Sequence, residues 1–197
     1  YEIGGVSGST ITPLLNAGTI RPLDDLVAKY GQNLNPNQLI KIDGKIMGIA
    51  MSVNNQHLMY RKDILDDLGI AEPKTYDDVL AAAEKIKAAN VVDYPFGGAY
   101  KSGWNIAEEF VNMYLGNGGD FFGDGNAPAI NNAAGIKSLE TMKKLTAYMD
   151  PEYLTSDSTY AQKQMQQEKI AMAYLWATRA GATVSYTHLT LPTISWV

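Results

Sequence analysis

Apolar positions in the N-terminal part of the chain come in short bursts broken by glycine and proline, while beyond residue 57 strand-like runs alternate with helical stripes. Residues 1–9 read as the end of a strand entering a Gly4-Gly5-Val6-Ser7-Gly8-Ser9 loop. Thr12 as a cap and Pro13 in the first turn predict a short helix that Gly18 ends. A second helix is predicted over 22–30, with Asp24 and Asp25 at its positive end and Gly31 just past the last turn. Between Lys41 and Ile46, the Asp43-Gly44 pair predicts a hairpin turn, and a strand follows over 46–51. The all-polar Asn54-Asn55-Gln56 then interrupts the pattern before a strand over 57–60.

From there the helical period dominates. A helix over 62–68 stops at Gly69, with Pro73 beyond it. Thr75-Tyr-Asp-Asp78 opens the strongest helix, its apolar stripe formed by Val79, Leu80, Ala83 and Ile86. Pro95 to Gly98 is a turn or short strand, and an amphipathic helix over 104–115 is stopped by Gly116-Asn-Gly-Gly119. Further helices are predicted over 131–149 and 158–168, and a buried strand over 170–175 delivers Trp176. Helices outnumber strands and alternate with them, which makes the class α/β. There is no internal repeat and no low-complexity linker, so the polar crossing near residues 53–56 is the one candidate junction between lobes.

Composition narrows the chemistry. The 197 residues carry 16 Lys and Arg against 21 Asp and Glu, a net charge of -5 that argues against nucleic acid as a partner. No run reaches the ~20 apolar residues of a membrane span. The absence of cysteine excludes disulfides, thiolate catalysis and cysteine metal sites, but does not fix the compartment. No histidine pair with metal spacing, nucleophile elbow or phosphate loop is present, so neither a metal nor a cofactor is expected. His57 sits in a strand-like run and reads as structural. Glu108 and Glu109 are adjacent carboxylates, but neighbouring helix positions point about 100° apart and cannot face one substrate together. Both are therefore read as a solvated face. Asp120 to Gly125 lacks calcium ligands at Phe122 and Asn131 and reads as a turn between helices.

What remains suits a hydroxyl-rich ligand, which needs amides, carboxylates or arginine for hydrogen bonds and aromatic faces for its C–H surface. Asn54, Asn55 and Gln56 supply amides at the crossing, Trp104 and Asn105 stand at a helix start, and Trp176 and Arg179 follow the last strand. Loops after strands and helix starts are where α/β proteins bind ligands.

The stretch from Asp43 to Asp63 is a D-G-K hairpin, a strand, a polar crossing and a Tyr60-Arg-Lys-Asp63 helix opening. With Pro73-Lys-Thr-Tyr-Asp-Asp78, Gly118-Gly-Asp-Phe-Phe122 and Lys169-Ile-Ala-Met-Ala-Tyr-Leu-Trp176, it resembles the extracellular solute-binding proteins of ABC sugar importers over residues 6–181. Two positions depart from that pattern: Tyr76 replaces a usual tryptophan, and Ala50 stands near where a proline is common. The resemblance implies a type II periplasmic-binding-protein-like fold, with residues 1–53 in the first lobe, 54–56 as hinge crossing and 57–183 in the second lobe. Both lobes would be incomplete. It also implies a binding role without catalysis, as a monomer outside the cytoplasm, periplasmic or lipid-anchored, delivering sugar to a membrane permease. The export signal would lie upstream. Ser7 and Ser9 would serve the first lobe, Asn54 and Asn55 the hinge, and Trp104, Asn105, Trp176 and Arg179 the second lobe. The alternatives are a carbohydrate-active hydrolase using acids such as Glu108 and Asp120, or a sugar-sensing receptor subunit.

The C-terminal end follows a different logic. Val184-Ser-Tyr-Thr-His-Leu-Thr-Leu-Pro-Thr193 is encoded by GTC TCT TAT ACA CAT CTG ACG CTG CCG ACG, which resembles the transposase adapter used in sequencing libraries. Residues 184–197 are therefore expected to be adapter-derived, and His188 and Trp196 are not candidate functional residues.

Overall fold

The Asp43-Gly44 pair adopts positive φ at both positions (50° and 77°), the backbone of a two-residue hairpin turn. It joins β1 (Leu39–Ile42) to β2 (Lys45–Ile49) in antiparallel register, Ile42 opposite Lys45, with a bulge between Ile40 and Lys41. The hairpin belongs to the first of two compact units, Tyr1–Val53 and Asn54–Val197, in a computed structural model that describes residues 3–52 and 54–184. The adapter-like tail from residue 185, with His188 and Trp196, lies outside the described residues.

Two short helices complete the first unit, and the first differs from expectation. Residues 3–7 form no strand, and α1 spans Gly8–Asn16 with Ser7, not Thr12, at its N-cap. The Ser7 N–H donates to Thr10 Oγ1 at 2.8 Å, so a threonine fills the position three residues on that a capping box usually gives to Glu or Gln. Pro13 thus lies inside the helix, where it removes one backbone donor. α2 (Asp24–Tyr30) keeps Asp24 and Asp25 in its first turn and Gly31 as its C-cap. The Asp24 carboxylate accepts the Ile46 N–H (3.3 Å), and the Leu23 N–H donates to Ile46 O (2.7 Å), which ties α2 to β2. Ile46 is the only buried side chain among the described residues of this unit.

The second unit holds the core. Its elements run β3 (Gln56–Tyr60), α3 (Lys62–Asp67), α4 (Tyr76–Ala89), β4 (Tyr94–Gly97), α5 (Trp104–Gly116), α6 (Ala133–Leu145), α7 (Ser158–Gln166), β5 (Ile170–Trp176) and α8 (Ala180–Val184). Strand order is β3-β5-β4, with β3 antiparallel and β4 parallel to the central β5. Helices cover both faces of β5, which explains its unbroken apolar run. Leu58, Tyr60, Met172 and Tyr174 pack with Val79, Ile86, Met113 and Leu145, while Met59, Ala173 and Leu175 pack with Ala161 and Met165. The predicted helix over 131–149 is shorter: Asn132 Oδ1 caps α6 by accepting the Gly135 N–H, and a 3-10 turn over 146–148 replaces its end. Gln56 belongs to β3 and pairs with Trp176. Segment 120–128 closes on itself through a Phe122–Pro128 bridge, with Gly125 and Asn126 at positive φ. No helix among the described residues is long and apolar enough to cross a membrane.

These strand directions have one consequence for chemistry. The C-terminal ends of β4 and β5 and the N-terminal end of β3 all lie at the same end of the sheet.

Candidate functional site

Six of the eight expected site residues belong to that sheet end. Trp176 is the last residue of β5, half-buried, and Asn54 and Asn55 lead into its partner β3. Two hydrogen bonds fasten these segments: the Ala177 N–H donates to Asn55 O (2.8 Å) and the Thr178 N–H to Asn54 Oδ1 (3.2 Å). Both asparagine side chains are exposed, and the bond to Thr178 leaves the Asn54 amide N–H groups pointing elsewhere.

Arg179 ends the 3-10 turn that follows Trp176. Its guanidinium donates from Nη1 to Gln162 Oε1 (2.6 Å) and from Nη2 to Ser158 Oγ (2.9 Å) and Thr159 Oγ1 (3.1 Å). All three acceptors are neutral, so the cation is oriented without being neutralised. Such a group can meet a ligand hydroxyl with a charge-assisted bond.

Trp104 and Asn105 open α5 just after β4. Gly103 caps the helix at φ 97°, ψ -134°, a conformation open in practice only to glycine, and the turn leaves Trp104 61% exposed. Asn105 is half-buried and its Oδ1 accepts the Ser158 N–H at 3.4 Å, which links the starts of α5 and α7. An exposed indole, a half-buried indole, free amides and an oriented guanidinium thus share one end of one sheet. No group of three or more Asp, Glu or His among the described residues could hold a metal.

The remaining two residues belong to the first unit. Ser7 is exposed and caps α1, and Ser9 falls within α1, its side chain outside the described residues. His57 lies half-buried in β3 opposite Leu175.

One residue corrects the sequence reading. Glu109 is not solvated: it is fully buried, its Oε1 accepts the Ala99 N–H at 3.0 Å, and its Oε2 has no partner. Burial pushes its carboxyl up from 4.5 to about 8, with the Ala99 bond opposing and Glu108 adding. The signal was in the sequence: Glu109 follows Ile106 by three and precedes Met113 by four, so it lies on the apolar face of α5. Glu108 is only partly buried, and burial raises its carboxyl as well. The other side chains missed are Ser158, Thr159 and Gln162, whose spacing of one helical turn on α7 could have marked them as an arginine cradle.

A family model described as "Bacterial extracellular solute-binding protein" matches residues 4–189. A probable sugar-binding periplasmic protein of Mesorhizobium japonicum is 29% identical over 160 residues, 76% of this chain and 38% of the relative. Among solved structures, an ABC transporter solute-binding protein of Agrobacterium radiobacter K84 in complex with ribitol superposes with a TM-score of 0.74 at 20% identity, over 85% of this chain and 44% of that one. Maltose-bound MalE3 of T. maritima gives a TM-score of 0.73 at 18% identity, over 87% and 45%. The chain spans less than half the length of these proteins. At such identities the structural likeness establishes the mixed α/β fold over part of their length.

Proposed function

Because the chain belongs to the bacterial extracellular solute-binding protein family, we propose that it is the sugar- or polyol-capturing component of an ABC importer, acting outside the cytoplasm. The observation that carries this reading is the gathering of Asn54, Asn55, Trp104, Asn105, Trp176 and Arg179 at one end of the β3-β5-β4 sheet. In this reading residues 1–53 contribute to one lobe of a type II fold, 54–56 cross between lobes, and 57–183 contribute to the other. Ser7 and Ser9 serve the ligand from the first lobe. The protein works as a monomer and presents the closed, loaded form to a membrane permease. A relative described as a probable sugar-binding periplasmic protein and a similar structure in complex with ribitol support this substrate class.

The energetics favour capture by two lobes. Micromolar affinity corresponds to about 8 kcal/mol. One aromatic stack adds about 1 kcal/mol beyond burial, and a neutral hydrogen bond about 1 kcal/mol net. Several contacts are needed, and a ligand moves the open–closed equilibrium only through its greater affinity for the closed form. The hydrolase alternative is left with acids such as Glu108 and Asp120, since Glu109 is buried against the Ala99 backbone.

Calorimetry on the full-length protein with ribitol and maltose tests the proposal. Stoichiometric binding without turnover is expected, and Trp176→Ala should weaken it about tenfold, the loss of stacking plus part of the buried area. Product formation, or an affinity that Trp176→Ala leaves unchanged, would overturn it.

A further inference from the structure

Glu109 lies one helical turn from Asn105 on α5, so the two side chains share a face of the helix. Asn105 is at the ligand end, and Glu109 is beneath it in the core, fully buried. Its one hydrogen bond reaches back to the Ala99 N–H, the second residue after β4, at 3.0 Å. Residues 98–103 are therefore held at both ends by α5: by the Glu109 carboxyl at Ala99 and by the chain itself at Trp104. The carbonyl of Gly103 also accepts the Ala107 N–H (3.2 Å), and the carbonyl of Lys101 accepts the Ile106 N–H (3.2 Å). The loop that carries Trp104 is thus closed over a carboxyl whose second oxygen has no partner.

The titratable groups around that carboxyl are Tyr76 of α4, Tyr100 of the loop, Tyr174 of β5 and the neighbouring Glu108. None is a cation. A negative charge on Glu109 has no counter-ion there, and in a site closed to water it must draw in water or turn out of the core. Turning out of the core breaks the bond to Ala99, and water drawn in beside Oε2 opens the loop closed over it. Protonated, the acid keeps that bond through its carbonyl oxygen and stays in place.

We propose that Glu109 is a positioning residue of the ligand face: as a neutral acid it fixes the 98–103 loop beneath Trp104 and Asn105, and loss of its proton loosens the loop and lowers ligand affinity. The inference rests on the function proposed above for the choice of ligand, but the clamp itself is a property of the loop and can be read without one. The burial that raises the carboxyl to about 8 sets the window: the clamp holds at neutral pH and is released in alkaline solution. The direction follows from linkage, because a ligand that requires the protonated form binds more weakly as the proton is lost.

The test is ribitol and maltose affinity of the full-length protein across pH, together with hydrogen exchange of residues 98–103 corrected for intrinsic rates. Wild-type affinity should fall about tenfold between about pH 7.5 and 9, with protection of the loop falling in parallel. Glu109→Gln, which keeps the acceptor for Ala99 and cannot ionise, should show a flat profile in both measurements. Glu108→Gln should keep the alkaline fall but move it to slightly lower pH, because the Glu108 charge is one of the causes that raise Glu109. A flat wild-type profile overturns the proposal without any variant, as does a Glu109→Gln profile parallel to wild type. If neither sugar binds at neutral pH, the functional reading fails, and the exchange measurement still decides the clamp.

Discussion

Adjacent carboxylates on α5 meet opposite environments because a helix turns about 100° per residue. Glu108 keeps access to water, while Glu109 takes a place on the apolar stripe between Ile106 and Met113. That difference has a thermodynamic consequence. In the unfolded chain Glu109 ionises near 4.5, whereas in the native protein it holds its proton up to about 8. Between those values the native state binds more protons than the unfolded state, so stability falls as pH rises. Its contribution is fully present below about 4.5 and has been lost by about pH 8, with a slope of at most about 1.4 kcal/mol per pH unit. In urea titrations at several pH values, the stability of wild type relative to Glu109→Gln should fall across this window with at most that slope and stay level above it. A constant difference across the window would mean that Glu109 does not carry the burden. Arg179 presents the contrasting case at the same scale: three neutral acceptors aim its guanidinium without pairing it with a carboxylate.

At the scale of elements, local signals worked wherever one residue type was needed for one backbone geometry. Asp43-Gly44 predicted the hairpin because both positions need positive φ. Thr75 predicted α4 because its hydroxyl accepts the Asp78 N–H (3.1 Å) while the Asp78 carboxylate accepts the Thr75 N–H (2.9 Å). Removing the hydroxyl in Thr75→Ala should lower stability by about 1 kcal/mol without changing the denaturant slope, since it exposes no core. A loss below a few tenths would show that Asp78 alone sustains the cap. The signals failed where two candidates competed. Thr12-Pro13 looked like a helix start, but Ser7 with Thr10 captured the cap one turn and more upstream, and Pro13 was carried inside. Much of the candidate site was legible as residues at strand ends and helix starts. That they belong to one sheet end was not, because it depends on β3 running antiparallel and β4 parallel to β5. The buried acid on α5 and the arginine cradle on α7 left only a spacing signal, the apolar stripe around Glu109 and the one helical turn from Ser158 to Gln162, and tertiary contacts give that spacing its meaning, since polar residues on a helix are solvated by default.

Burial is unequally shared across the whole molecule, and this sets how the chain should open. Ile170, Ala171, Met172, Ala173 and Leu175 of the central strand are fully buried, with helices on both sides. In the first unit Ile46, at 9% exposure, is the only buried side chain among the described residues. A two-stranded hairpin is marginal by itself, and helices of 9 and 7 residues fall short of the length at which isolated helices persist in water. Apolar burial supplies the largest favourable term in folding, so the two units cannot have equal local stability. Native-state hydrogen exchange on this 197-residue chain should therefore show a graded pattern. Amides of β5 and the middle of α4 should exchange only through global unfolding. Those of α1, α2 and the β1-β2 hairpin should exchange through local opening, with protection lower by several kcal/mol, a sizeable part of the roughly 5–15 kcal/mol that domains usually have. A single level of protection across both units would contradict this. It would mean that the first unit gains its stability from contacts other than its own core, and the tie between α2 and β2 through Asp24 and Ile46 would then be a minor part of what holds it.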